Sequence, residues 1–186
     1  MNIAGHEVEF FDAGHKYLVD GILTPSITSI LKSDKYDRVD RSTLDRAARK
    51  GTELHKAIEN YCKTGIEADL QELRNFKFLQ RTYKFEPIAN EQVVVLFRDE
   101  EPIAAGRCDI VLRMDGKIGG ADIKRTSGLD KEYLAKQLNL YRIAYRQSYG
   151  IEWEFLRAIH LREDVRKFVE IPINEEYANE IIGGIQ

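Results

Sequence analysis

Two aspartates, Asp109 and Asp122, interrupt apolar runs on either side of the dipeptide Asp115-Gly116, and Lys124 follows the second by two residues. Asp-Gly between alternating runs is a two-residue hairpin signal. With Met114 facing Lys117, the pairing carried back along both strands sets Asp109 directly opposite Asp122, and a four-residue loop gives the same pairs. Like charges on cross-strand Cβ atoms about 4.5–5.5 Å apart repel, so a positive group is expected between them. Side-chain alternation also puts Asp122 and Lys124 on one face of their strand. Two carboxylates with an ammonium suit Mg²⁺ or Mn²⁺, with the lysine orienting or helping to activate a water, or neutralising charge on a phosphate. The same residues also fit a surface ion cluster in which Lys124 only pairs Asp122.

Other polar side chains fall on faces that should pack inward. His55 lies on the apolar stripe of a helix and can serve as a further Mn²⁺ or Mg²⁺ ligand, or as a hydrogen-bonded core histidine. Gln137 and Tyr141 stand four apart on the helical face of Leu134 and Leu138, where a glutamine is costly without hydrogen bonds. The alternative there is a capped buried amide. Glu91 opens the strand before the acidic hairpin and reads either as a site acid or as an ordinary exposed residue.

The elements that must position these groups can be read from pattern. "HEVEFFDAGHKYLVDG" alternates around Asp12-Ala13-Gly14 and predicts an N-terminal hairpin with His6 and His15 on its surface. Pro25 and Ser26 precede a short helix, and the charged, aperiodic residues from Lys32 to Asp40 read as a loop. Residues Ser42 to Lys63 predict a long helix, capped by Ser42 and closed by Gly65, with Leu44, Ala48, Gly51, His55, Ile58 and Cys62 inward. A second helix is expected over Asp69 to Lys84. Strands follow near Asn90 to Phe97, Ile103 to Met114 and Lys117 to Lys124. A helix from about Asp130 to Ser148, strands over Glu152 to Leu161 and Arg166 to Ile171, and a terminal helix complete the order. The expectation is an α/β (α+β) fold, a central mixed sheet flanked by helices, in a single domain. Its parts are an N-terminal hairpin and helices over 1–85, a catalytic sheet and helix over 86–150, and C-terminal strands and helix over 151–186.

Composition narrows the function classes. At 186 residues, 43% hydrophobic and 32% charged, the chain has the make-up of a water-soluble domain, and no apolar run reaches membrane-spanning length. Its start has neither the basic flank nor the apolar segment of a secretory signal, so a cytoplasmic protein of a bacterial or phage-infected cell, without membrane partners, is expected. Two cysteines, Cys62 and Cys108, are too few for a disulfide framework or a four-cysteine cluster and are expected in the core. The net charge of −3 argues against a protein that coats nucleic acid, though not against a local basic patch.

"RAARKGTELH" (Arg46 to His55), "GRCD" (Gly106 to Asp109), "ADIK" (Ala121 to Lys124) and "QLNLY" (Gln137 to Tyr141), in this order, resemble the PD-(D/E)XK nuclease superfamily, in particular its RecB-like and phage-type exonuclease branch. The likeness covers most of residues 15 to 145, and "HKYLVDGILTPSITSILK" is similar to the leader of phage-type members. It implies a restriction-endonuclease-like core and metal-dependent hydrolysis of DNA, preferring free ends, in recombination, repair or phage DNA processing, with recombination or replication proteins as partners. Residue by residue, it implies that Asp109, Asp122, His55 and the Ile123 carbonyl hold Mg²⁺ or Mn²⁺ and that Lys124 is the signature lysine. Gln137 and Tyr141 would be the QxxxY pair lining the site, with Glu91 the acid of the preceding strand. Arg46, Arg49, Lys50, Arg107 and Arg125 are the expected DNA contacts. Cys108 stands where the superfamily name has proline, and the cluster cysteines of some relatives are absent. A catalytically idle DNA- or protein-binding module of the same fold, and a metal phosphohydrolase for small molecules, are the competing readings.

Overall fold

The computed structural model describes residues 1–31 and 41–184. Four short strands, β1 (Asn2–Ile3), β2 (His6–Phe11), β3 (Lys16–Val19) and β4 (Ile22–Thr24), form an antiparallel meander. The expected hairpin is its β2–β3 centre, with Val8 opposite Val19 and Phe11 opposite Lys16. Ser26 then caps the one-turn helix α1 (Ile27–Ile30), its hydroxyl accepting from the Ser29 N–H at 3.0 Å. The loop expected over Lys32 to Asp40 lies outside the described residues.

Helix α2 (Arg41–Thr64) begins one residue before the expected cap, so Ser42 lies within its first turn, and Gly65 ends it with φ +74° and an N–H to the Tyr61 carbonyl. The inward stripe is shorter than its pattern suggests. Leu54, Ala57 and Ile58 are buried and His55 and Cys62 half-buried, but residues 45–50, Ala48 among them, are exposed because this part of the helix runs past the body it packs on. The Leu44 side chain lies outside the described residues. Helix α3 (Gln71–Tyr83) buries Leu73, Phe76 and Leu79 beside it and stops at Lys84, whose φ is +54°.

The main sheet has the order β5 (Glu86–Arg98), β6 (Glu101–Met114), β7 (Lys117–Lys124), β8 (Phe155–Leu161), β9 (Arg166–Ile171), antiparallel except for β7–β8. The crossover between the parallel pair is α4 (Lys131–Tyr149), capped by Asp130 and ended by Gly150 at φ +69°. Helix α5 (Glu175–Gly183) closes the chain. The fold is thus a mixed sheet flanked by helices. One face carries α4, α1 and α5, burying Leu134, Leu138, Leu140 and Trp153. The other carries α2 and α3 over β7 to β9, and the N-terminal meander over Val93, Val95 and Ala105. Among the described residues no helix is long and apolar enough to cross a membrane.

Two irregularities in this sheet make the site. The first is a fork. Strands β6 and β7 pair from Met114–Lys117 to Ile110–Ala121 in the register the Asp-Gly turn predicts, and the ladder ends there, one step before the two aspartates. Strand β7 continues beside β8 as far as Lys124 opposite His160. The part of β6 freed by the split is met by the Pro25 carbonyl, which accepts from Ala105 N–H at 2.9 Å. The second is a change of phase. On the α4 face, β6 contributes Ala104 and Cys108 but then Val111, while Ile110 and Leu112 point the other way. Strict alternation cannot do this. Strand β5 shifts likewise, from Ala89 to Val94 and Leu96, and between them Glu91 has φ +51°, a left-handed backbone rare for a non-glycine residue and typical of functional sites.

Close approach fixes Gly120. A Cβ on Gly120 would lie 2.0 Å from the Trp153 ring, which is fully buried under β7. Gly120→Ala is therefore expected to cost about 3 kcal/mol or more, as overpacking of a filled core does, measured as a lower denaturation midpoint at unchanged slope.

Candidate functional site

Where β7 leaves β6, the backbone N–H of Ile123 loses its ladder partner, and the Asp109 carboxylate takes it at 2.7 Å through Oδ2. Its other oxygen, Oδ1, lies 3.7 Å from Nδ1 of His55. The imidazole enters from α2, with Nδ1 3.3 Å from Glu91 Oε1 and Nε2 3.0 Å from the Ile123 carbonyl. Every group facing the ring is an acceptor, so the ring fits this pocket with a proton on each nitrogen. Burial opposes that charge, but Asp109, Glu91 and the Ile123 carbonyl outweigh it and push the pKa from 6.5 up to about 9.

Glu91 is fixed from its other side. Arg107 Nε lies 2.6 Å from Glu91 Oε2, its Nη1 donates to Asp12 Oδ1 at 3.1 Å, and the guanidinium lies over the Phe10 ring at 4.6 Å. The meander thus reaches the site through Arg107, which holds the acid presented by the left-handed Glu91 backbone.

Asp122 and Lys124 come from the α4 side of β7. Lys124 Nζ is 2.9 Å from both Asp122 oxygens but is aligned for a hydrogen bond only to Oδ1, leaving buried Oδ2 without a well-aligned donor. Burial raises the Asp122 pKa to about 6, with Asp109 adding to it and Lys124 and His55 pulling against it. Burial disfavours the Lys124 ammonium as well, yet the charges of Asp122 and Asp109 raise its pKa above the ordinary lysine value. The positive charge expected between the aspartates is therefore supplied twice, by Lys124 and by the imidazolium.

Gln137 and Tyr141 are buried on the α4 face turned to the sheet, and among the described residues Gln137 Oε1 has no hydrogen-bond partner. Tyr141 packs against Gly106, where a Cβ would lie 2.9 Å from its ring and hydroxyl. Burial drives the Tyr141 pKa well up, with Asp109 and Asp122 adding to it, so the phenol stays a donor.

The fork therefore brings together His55, Glu91, Asp109, Asp122, the Ile123 carbonyl and Lys124. Ligand atoms of His55, Glu91 and Asp109 lie within 4.8 Å of one another. Glu91 thus joins the cluster directly, and Asp122 stands beside it, held by Lys124. An imidazole nitrogen with two carboxylate oxygens, next to a buried carboxylate oxygen lacking an aligned donor, is a donor set that fits Mg²⁺ or Mn²⁺. Two of the expected DNA contacts are turned to the chain's own acids. Arg107 is engaged as described, and Arg125 Nε donates to buried Glu72 at 2.7 Å, with Glu163 at 3.5 Å from its Nη2. Both follow strand geometry, since each lies where a neighbouring element places a carboxylate. Arg46, Arg49 and Lys50 are exposed on the overhanging part of α2.

Sequence reading passed over two neighbours, Tyr133 and His160. Arg107, named as an expected DNA contact, shares the parity of Ala105, which turns it to the meander. Tyr133 lies four residues before Gln137 on α4 and was legible from that spacing; it contributes to the field at Lys124. Buried His160, the β8 partner of Lys124, has Nε2 2.7 Å from the Thr126 carbonyl, and nothing in its local sequence marks it. His6, in contrast, sits as expected on the meander, 2.6 Å from Asp20.

No family model matches the chain, and no curated protein matches it. Among solved structures, one described as "Crystal structure of SSO0001" is similar with a TM-score of 0.43 and 16% identity, over 86% of this chain and 73% of that chain.

The raised His55 pKa fixes a sign. A group whose folded pKa lies above its unfolded value contributes stability that is complete below pH 6.5 and lost as pH rises through about 9. Thermal melts in chelator should accordingly show the metal-free protein weakening across that window, and His55→Ala should flatten the slope. The melting-temperature increase on adding Mn²⁺ should grow over the same window, because the ion replaces a proton.

Proposed function

We propose that the chain is a divalent-metal-dependent nuclease that hydrolyses phosphodiester bonds in DNA, an exonuclease by its sequence resemblance. The observation that carries this reading is the fork, where three carboxylates, an imidazole and an ammonium, distant in sequence, meet at one break in the sheet. A structural ion cluster has no need of a strained acid held by a second ion pair, or of a buried carboxylate oxygen lacking an aligned donor.

In this reading His55, Glu91 and Asp109, with Asp122 and the Ile123 carbonyl beside them, would hold Mg²⁺ or Mn²⁺. Such an ion, when bound, lowers the pKa of a water and neutralises charge on the phosphate. The chain's own groups do the rest. Arg107 keeps Glu91 in place, and Asp109 ties the position of Ile123 to β6. Lys124, whose ammonium is favoured by the charges of the two aspartates, acts as a charged donor that orients the attacking water and balances charge at the phosphate. Gln137 and Tyr141 line the α4 wall as donors. Arg46, Arg49 and Lys50, exposed on α2, would take the strand's phosphates.

The decisive experiment offers end-labelled single- and double-stranded DNA, linear and circular, with Mg²⁺ or Mn²⁺, alongside nucleotides and small phosphate esters. DNA hydrolysis that starts from ends and is lost in Asp122→Asn is expected. Binding without hydrolysis would favour the idle module, and turnover of small esters alone would favour the phosphohydrolase. Lys124→Ala should cut turnover about a hundredfold while leaving calorimetric Mn²⁺ binding in place. Near-normal turnover would reduce Lys124 to an ion-pair partner of Asp122.

A further inference from the structure

The main sheet ends at β9, and among the described residues no strand pairs with its outer side. The phase of this edge is fixed by its turn. Arg162 and Val165 exchange two backbone hydrogen bonds, and from there the β8–β9 ladder runs without a shift from Leu161–Arg166 to Leu156–Ile171. Antiparallel pairs alternate between bonded and unbonded, so Lys167, Val169 and Ile171 turn their backbone groups to β8, while Arg166, Phe168 and Glu170 turn theirs outward. Those outward N–H and C=O groups have no partner among the described residues. They are a template for another strand.

The side chains decide which strand fits. Arg166, Phe168 and Glu170 share the α3 face, with the aromatic ring midway between a cation and an anion. A two-fold axis normal to the sheet at Phe168 matches this row to itself: Arg166 meets Glu170 of a second copy, Glu170 meets Arg166, and Phe168 meets Phe168. Opposite charges and aromatic rings at directly opposed positions favour pairing, and every outward N–H then meets an outward C=O. Neighbouring registers fail. Centred on Lys167, the pairing sets two ammonium groups face to face; centred on Val169, it sets Arg166 against Pro172, which has no N–H. Both charges can take a new partner. Arg166 lies over the Phe78 ring at 3.8 Å without an ion pair among the described residues, and Glu170 is 79% exposed, with the nearest Arg157 nitrogen at 3.6 Å, beyond hydrogen-bond reach. The covering helix fits as well. Because α3 packs over both β8 and β9, the α3 helices of two such copies stand two strand spacings apart, roughly 9.5 Å, and helices pack at about 8–10 Å. Phe78 and Tyr83 of α3, 39% and 43% exposed beside this edge, supply apolar surface for that contact.

We infer that the chain forms a two-fold dimer in which β9 pairs with β9 of a second copy in the register centred on Phe168, joining the two main sheets into one. The inference is independent of the function proposed for the fork. Sedimentation equilibrium of the full chain, from micromolar to millimolar, tests it with charge reversals at two exposed positions, Arg166→Glu and Glu170→Arg. Wild type should show a reversible equilibrium that stops at two copies, since a two-fold contact closes on itself. Either reversal alone opposes like charges twice and should weaken dimerisation by about tenfold or more, with circular dichroism melts showing a folded protein. An equimolar mixture of the two variants should regain wild-type association, because each then meets the opposite charge in the other. The double variant, carrying both reversals in one chain, should dimerise as wild type does, which keeps the test decisive even where a single reversal disturbs the fold. Wild type that stays monomeric, a dimer insensitive to both reversals, growth beyond two copies, or failure of both the mixture and the double variant to associate overturns the assignment.

Discussion

The separation of β7 from β6 after Ala121 is the constraint on which the site depends. A sheet that stayed paired would satisfy its own backbone and keep Asp109 and Asp122 as two repelling cross-strand neighbours. Once the strands part, the Ile123 N–H must find another acceptor, and Asp109 answers from across the gap. The same parting leaves the Ile123 carbonyl to accept from His55 and gives Asp122 and Lys124 the room to pair. Each polar group at the fork therefore has a backbone reason to be there as well as a chemical one.

Charge at the fork is closely balanced without any ion. Glu91, Asp109 and Asp122 are countered by Arg107, Lys124 and the protonated His55. Of the three positive groups, His55 has the pKa nearest neutral, about 9, since the lysine pKa is raised and guanidinium does not titrate, while among the acids burial brings the Asp122 pKa up to about 6. In the proposed nuclease, a cation bound at the fork would compete with the His55 proton.

How much of this was legible in the sequence varies with the physics of each part. The register across Asp115-Gly116 followed from turn chemistry, and α4 from its cap, its stripe and its closing glycine. Strand β5 started four residues earlier than expected, at Glu86, because Pro87 and the bulge around Ile88 break the pattern without ending the strand. The phase change at Glu91 and Asp109 could not be read at all: period-two reasoning assumes a uniform strand, and a left-handed glutamate violates it with no glycine to mark the place. The ladder's early end was hidden for a similar reason, since Asp122-Ile123-Lys124 continues a good strand and only the position of β6 shows that it has changed partners. His55, Asp109, Asp122 and Lys124 were found because each is a polar residue on an apolar face. The pairing of Arg107 with Glu91 and of Arg125 with Glu72 was not legible, because single-sequence reasoning does not see either acid approach from another element.

A sheet that splits exposes strand edge in its interior, along the first half of β6, and such an edge can template another copy of the chain. Here it is sealed by a short segment of the same polypeptide, Pro25 and Ser26, joined to Ala105 by one hydrogen bond and one bridge. Proline accepts but has no N–H to donate, so the seal ends a ladder and cannot extend one. The opening at the fork is in this way kept from becoming a starting point for aggregation, by a contact that spans some eighty positions of sequence.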